Sequence, residues 1–502
     1  MVFNSGVYIY FLIAVFTIYW AVSRLPRGAH RAQNTVLLLS SYFFYGWWDW
    51  LYLVLIFAST TLDYFVGIGL DSLTSERKRK LLITFSISCN LTILGIFKYY
   101  DFFITSFISM VRQFDPGAFP DGGAHLLLNA ILPVGISFYT FQSMAYTVDV
   151  YRRQVRAERN FLDFASFVCF FPQLVAGPIE RAGDLLVQMK NNRQFTWENM
   201  RNGAWMILLG FYMKTYVADN ISPLVNLVYL DHKFAYHQNP LAASGHGGLQ
   251  VILASVGFAF QIYSDFWGYS AIAMGSALFL GFKLTQNFNA PQMAENPADL
   301  WRRWHITLNR WVTDYIYIPL GGSRLGVVRK YVNLFVAMLL MGLWHGASWT
   351  FFVWGGFMGA WLIAHQIFRD YLPKLSEGAP AWKKGTVKAL KMAATFGVFG
   401  LSATCFRAYD IHQTGELWKS ILDISSYSLS PVHGVMGAGD FLWALVKKLI
   451  VLLVIDFMAY RTGSLYWIFD RPVWVRITLY SVLFFFVLIL GEFGKDVIYF
   501  AF

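Results

Sequence analysis

The sequence predicts an all-α, polytopic integral membrane protein with about 11–13 transmembrane or re-entrant helices. Three observations carry this expectation. First, the 502 residues are 57% hydrophobic and only 14% charged, whereas a soluble surface needs roughly a quarter charged residues. A bilayer must supply the missing solvent. Second, apolar runs recur from Val7 to Leu490 without a soluble module between them, which predicts one membrane domain over residues 1–502. Third, the net charge of +11 comes from short basic clusters between apolar runs. That distribution orients helices in a membrane and argues against a nucleic-acid partner.

Windows near the ~20 apolar residues that cross a ~30 Å hydrocarbon core fall at 7–23, 35–48, 50–70, 81–97 and 125–148. Later ones fall at 203–219, 250–281, 331–344, 349–368, 388–406, 441–460 and 476–496. The N-terminus lacks a basic region and a cleavage site, so the first run is expected to be an anchor. The segment 161–179, closing in Pro172 to Pro178 with Gly177, is expected to be re-entrant or broken, which membranes tolerate only where protein or a water-filled cavity surrounds the backbone. Lys447 and Lys448 lie inside the run 441–460 and are expected to snorkel toward the outer surface. Cys89, Cys169 and Cys405 match no zinc or redox spacing, and neither a disulfide framework nor a metal site is expected. No internal repeat is visible.

Short loops rich in Lys and Arg stay cytoplasmic. Arg24, Arg27 and Arg31, then Arg77 to Lys80, then Arg152, Arg153, Arg156 and Arg159 mark alternate loops. The pattern predicts both termini outside. Residues 282–330, with Lys283, Arg302, Arg303, Arg310, Arg324, Arg329 and Lys330, fall in the cytoplasm, and loops 220–249 and 407–440 fall outside.

Asn296, Pro297 and Asp299 together open a helix: a side-chain cap, a first-turn residue needing no donor, and an anion at the positive end. Trp301, Trp304, Leu308, Trp311 and Tyr315 then follow at steps of three and four, with Arg302, Arg303 and Arg310 beside them. One basic, Trp-rich interfacial helix is expected. His305 lies next to the stripe; alone, such a histidine is more often a packing or surface residue. His345 is sharper. Fifteen positions after Lys330, at ~1.5 Å each, it lies some ~22 Å into the core. Ionisable groups at that depth usually face a cavity or a partner, and the sequence Trp344-His345-Gly346-Ala347-Ser348 adds small residues that let a substrate approach. Asp265 is a third intramembrane candidate, for which a structural role competes. The absence of Gly-x-Ser-x-Gly, phosphate-loop and His-Glu-x-x-His motifs argues against a hydrolase triad, an ATPase and a zinc enzyme.

Trp301-Arg302-Arg303-Trp304-His305, Tyr315-Ile316-Tyr317-Ile318-Pro319-Leu320-Gly321-Gly322 and Met341-Gly342-Leu343-Trp344-His345-Gly346 together resemble the membrane-bound O-acyltransferase family. The bacterial branch that contains the alginate O-acetylation membrane subunit is the nearest match. Pro133 to Phe141, Pro172 to Pro178 and the terminal Ile498-Tyr499-Phe500-Ala501-Phe502 are similar to that branch too. The resemblance departs where the branch reads Asp-Phe-Ser-Gly-Tyr-Ser-Asp, since Trp267 and Ala271 replace the serine and the last aspartate. It implies helices around a tunnel and two catalytic histidines, His345 and His305.

His345 would take the proton of an attacking hydroxyl, and His305 would hold the thioester carbonyl or orient the donor. Trp344, Trp304, Arg302, Arg303, Arg310, Asn309 and Asp265 are the candidate substrate-binding residues, the arginines for donor phosphates. No bound cofactor is implied: acetyl-CoA or another acyl thioester from the cytoplasm is the donor substrate. An exported acyltransferase or hydrolase-like partner would complete transfer to an extracytoplasmic polysaccharide, with the chain in the bacterial inner membrane. D-alanyl transfer to teichoic acid, a transporter, and a scaffold of a polymer-export complex are the alternatives.

Overall fold

A computed structural model describes all residues except 26–27, 176, 239–246, 370, 372–377, 430–435, 496–497 and 499–502, with the backbone alone for 230–238. Most of the aromatic C-terminus, parts of loops 220–249 and 407–440, Arg27 and one residue of the Pro172 to Pro178 stretch therefore lie outside the described residues. The described chain is helical, and seven of its helices are long and apolar enough to cross a bilayer: Tyr52–Ser72, Glu76–Phe114, Gly248–Phe279, Val327–His345, Trp349–Phe368, Ala381–Arg407 and Val473–Leu490. Gly6–Val22 is a shorter apolar helix. The chain is an all-α, multi-pass membrane protein. It divides into two compact units, residues 1–203 with 273–285, and residues 204–272 with 286–502.

In the first unit the helix Ile136–Tyr151 is buried along almost its whole length and packs against Tyr52–Ser72 and Glu76–Leu94. A buried carboxylate is costly unless its oxygens are satisfied. Asp63 meets this with a hydrogen bond from Ser86 Oγ at 2.6 Å and another from Asn90 Nδ2 at 3.1 Å. Two expected spans differ. The run 125–148 opens on a single 3-10 turn, Ala124–Leu126, and becomes α-helical only at Ile136, because Pro133 has no N–H to donate and Gly135 takes a left-handed φ of 77°. The run 81–97 belongs to a helix that continues through a π turn at Gly95–Tyr99 to Phe114, so residues 100–114 are helix where a loop is expected. The break expected within 161–179 is present: Phe161–Val168 ends at Cys169, and a short helix resumes at Phe171–Leu174.

The second unit is organised by the hairpin of Val327–His345 and Trp349–Phe368. Small residues let these helices approach, as membrane helices often require. A Cβ at Gly342 would collide with the Phe351 carbonyl and lie 3.0 Å from Gly355 Cα, and one at Gly359 would lie 2.9 Å from the Phe335 ring. The helix Ala381–Arg407 packs on Trp349–Phe368, and Gly400 meets Val256 of Gly248–Phe279. Another close crossing brings Gly268 within 2.8 Å of the Gly210 carbonyl, measured from its would-be Cβ. The helix Trp197–Phe211 then widens into a π turn, Tyr212–Ala218. Lys447 lies over the Trp443 ring, and Lys448 Nζ donates to Asn220 Oδ1 at 3.4 Å.

Candidate active site

The expected single Trp-rich helix is two helices. Asn296 caps the first as anticipated, its Oδ1 accepting from Asp299 N at 2.9 Å, and Pro297–Arg303 follows. The chain then leaves the helical path at Trp304, and His305 adopts φ 42°, ψ 54° before Ile306–Val312 begins. A left-handed non-glycine residue is uncommon and strained by about 1–3 kcal/mol, so the surroundings must hold it. They do so through the backbone: Asn289 N donates to Arg303 O and Ile306 N to Asn287 O, both at 2.9 Å. Residues 287–289 thus clasp the break on both sides. Trp301, Trp304 and Trp311 are buried, which places the stripe inside the protein where an interfacial face is expected.

The break aims His305 into an aromatic shell. Its ring makes edge contact with Phe266 at 4.7 Å and with Trp344 at 5.8 Å, and stacks toward Phe288 at 6.4 Å. His305 Nδ1 lies 3.1 Å from Asn287 Oδ1. Burial pushes the imidazole down to about 3, because the charged ring would lose its water. His305 is therefore neutral across the physiological range.

His345 ends its membrane helix, and Gly346 beyond it is extended. The ring packs against Trp344 at 4.9 Å, Phe406 at 4.9 Å and Trp354 at 5.3 Å. One indole, Trp344, thus touches both histidines. His345 faces a cavity of about 20 Å³ lined also by Ala259, Trp304, Trp354, Phe399 and Phe406, enough for one water molecule. A larger cleft of about 480 Å³ lies among Glu295, Trp361, His365, Arg369, Lys391 and Thr395. Cleft and cavity share two helices in register. Trp361 and Trp354 are about two turns apart on one face, and Thr395, Phe399 and Ala403 follow at one-turn steps of ~6 Å. Between them Trp304 packs on Phe399 at 4.6 Å and Trp301 on Trp354 at 6.0 Å.

Of the sequence candidates, the structure brings together His305, His345, Trp304 and Trp344. Asn309 supports the same turn, its Nδ2 donating to Trp301 O at 3.0 Å. Arg302 and Arg310 are exposed. Arg303 donates to Asp299 Oδ1 at 3.0 Å and lies over the Tyr460 ring. Asp265 stands apart from the shell. It accepts from Lys214 Nζ at 2.6 Å and from Ile498 N at 2.9 Å, and the same ammonium meets Asp219 at 2.8 Å. Two further residues escaped the sequence analysis. Asp456 accepts from Tyr263 at 2.9 Å and Gln292 at 2.6 Å, and Tyr263 packs beside Trp304. A carboxylate within the run 441–460 could have been flagged by the cost of charge at that depth. Asn287, in a polar loop, gave no such signal. Among the described residues no group of three His, Cys, Asp or Glu side chains is placed to hold a metal ion.

The profile of the membrane-bound O-acyltransferase family matches residues 4–388. The chain belongs to that family. As a membrane-bound O-acyltransferase it is similar to a protein named "probable alginate O-acetylase AlgI" from Pseudomonas putida, with 35% identity over 437 residues covering 86% of this chain and 82% of the relative. It is also similar to a peptidoglycan O-acetyltransferase from Helicobacter pylori, at 31% identity over 88% of this chain and 83% of the relative. Similarity to a teichoic acid D-alanyltransferase from Bacillus subtilis is 24% identity over 54% of this chain and 68% of the relative. The protein is thus an O-acyltransferase.

Proposed function

We propose that the protein moves an acetyl group from a cytoplasmic thioester to a hydroxyl presented outside, on a polysaccharide or on an exported partner that completes the transfer. The carrying observation is the in-register arrangement of a basic cleft and the His345 cavity along the same two helices. Arg369 and Lys391 suit the phosphates of a donor, whereas Arg303 is already engaged by Asp299. From Thr395 to Ala403 is eight residues, or ~12 Å, so a donor held in the cleft needs a thin arm to reach His345. A pantetheine thioester has one. The aromatic contacts of Trp304 and Trp301 must part to admit it, completing the tunnel.

In the reaction the acceptor oxygen bonds to the carbonyl carbon and the carbon–sulfur bond breaks. His345 takes the hydroxyl proton and returns it to the departing thiolate, a role suited to imidazole. His305 orients the donor. The longer match to O-acetyl-transferring relatives than to the D-alanyl one favours acetyl. The test offers labelled acetyl-CoA to the purified protein and to His345→Gln, which keeps approximate size but loses useful basicity. Transfer or hydrolysis should fall at least ~100-fold with donor binding retained. Near-normal transfer by the variant would make His345 structural, and substrate flux without transfer would mean transport.

A further inference from the structure

Asn287 is fully buried, and its Oδ1 lies within reach of three groups: Thr307 N at 3.3 Å, Thr307 Oγ1 at 2.9 Å and His305 Nδ1 at 3.1 Å. The backbone N–H of Thr307 can only donate, so the atom facing it must be the amide oxygen and not the amide nitrogen. That orientation decides the histidine. An oxygen offers only lone pairs, and Nδ1 must therefore bring the hydrogen. In a neutral imidazole the other nitrogen is then bare. The low basicity that burial imposes on His305 excludes the alternative in which both nitrogens carry hydrogen.

We propose that Asn287 is a positioning residue for acyl transfer: it holds His305 in the Nδ1–H tautomer, so that Nε2 presents a lone pair and accepts a hydrogen bond from the substrate. This rests on the assignment of His305 to the donor site and sharpens it. A bare Nε2 cannot donate to a thioester carbonyl. It can accept from an N–H or O–H, such as an amide of a pantetheine arm, and so align the donor beside His345. The clasp serves the same end, because the backbone of Asn287 holds Ile306 while its side chain holds the ring.

Nitrogen-15 NMR of histidine-labelled full-length protein in lipid bilayers reads the tautomer directly, since protonated and bare ring nitrogens resonate far apart. The chain has 10 histidines, and subtraction of the His305→Gln spectrum assigns the signal. Protonated Nδ1 is expected in the wild type, in Thr307→Val, which removes a different donor to the same oxygen, and in Asn287→Asp, which keeps an acceptor oxygen. Asn287→Leu should lose the tautomer and lower kcat by roughly 10-fold or more with little change in KM. A protonated Nε2 in the wild type overturns the proposal, as does an Asn287→Leu protein with unchanged tautomer and rate. If Asn287→Leu does not fold, the wild-type and Asn287→Asp spectra decide. Full transfer by His305→Gln would instead remove His305 from the reaction while leaving the tautomer result standing.

Discussion

At the scale of single residues, buried polar groups here divide by what their neighbours satisfy. Lys214 sits between Asp265 and Asp219, and all three are buried, so the group is a structural lock tying the π turn to the helix Gly248–Phe279. Removing one partner of such a cluster strands the others. Lys214→Met should lower stability by about 3–5 kcal/mol, with the folded fraction retaining its transfer rate per molecule, and combining it with Asp265→Asn should recover part of the loss. Thermal unfolding in detergent checks this; a Lys214→Met protein that melts with the wild type would show that the ammonium is not what keeps the carboxylates buried. His345 was legible in the sequence as a candidate, because depth alone makes a histidine unusual. Asn287 was not, because its oxygen meets His305 across 18 residues of chain, and no local pattern encodes that meeting.

At the scale of elements, the helix Val327–His345 carries its histidine at the last residue, so its packing sets where the ring lies. Gly342 and Gly356 separate the contributions. A Cβ at Gly342 has no room beside Phe351 and Gly355, whereas one at Gly356 finds only Leu339 Cδ2 at 3.6 Å and Phe335 Cζ at 3.8 Å, ordinary contact. Gly342→Ala should cost about 1–3 kcal/mol and reduce transfer by displacing His345 from Trp354, while Gly356→Ala should be neutral or slightly stabilising. Equal melting temperatures for the two variants would sink this account of the hairpin. Long apolar runs and capping residues were readable: Asn296 caps where expected, and the break after Phe161–Val168 falls within the segment expected to be broken, just before Pro172 opens the next short helix. The break at Trp304 and His305 was hidden, because the Trp repeat fits a helix and only the clasp by residues 287–289 overrides it.

At the scale of the whole molecule, the distribution of basic residues implies that the segment bearing Arg302 and Arg303 faces the cytoplasm and residues 407–440 face outside. In a background without Cys89, Cys169 and Cys405, Ser323→Cys should resist an impermeant thiol reagent in intact cells and Ser425→Cys should react; both positions are exposed. The reverse pattern inverts the topology and moves the donor to the other side. The all-α, multi-pass class was accessible from composition, because the bilayer imposes length and hydrophobicity on every span; the number was not, since seven helices among the described residues meet that standard where 11–13 are expected. The division into two compact units was not, since the helix Gly248–Phe279 contributes residues to both without any change in character along its length. The tight contact of Trp304 with Phe399 beside a cavity that admits one water also has an electrical meaning. If the proposed acyl route runs here, a permanently open path across an energised membrane would be a leak. On the proposed route, the Trp304–Phe399 contact would block passage at rest, and each opening would have to coincide with a donor arm that fills it.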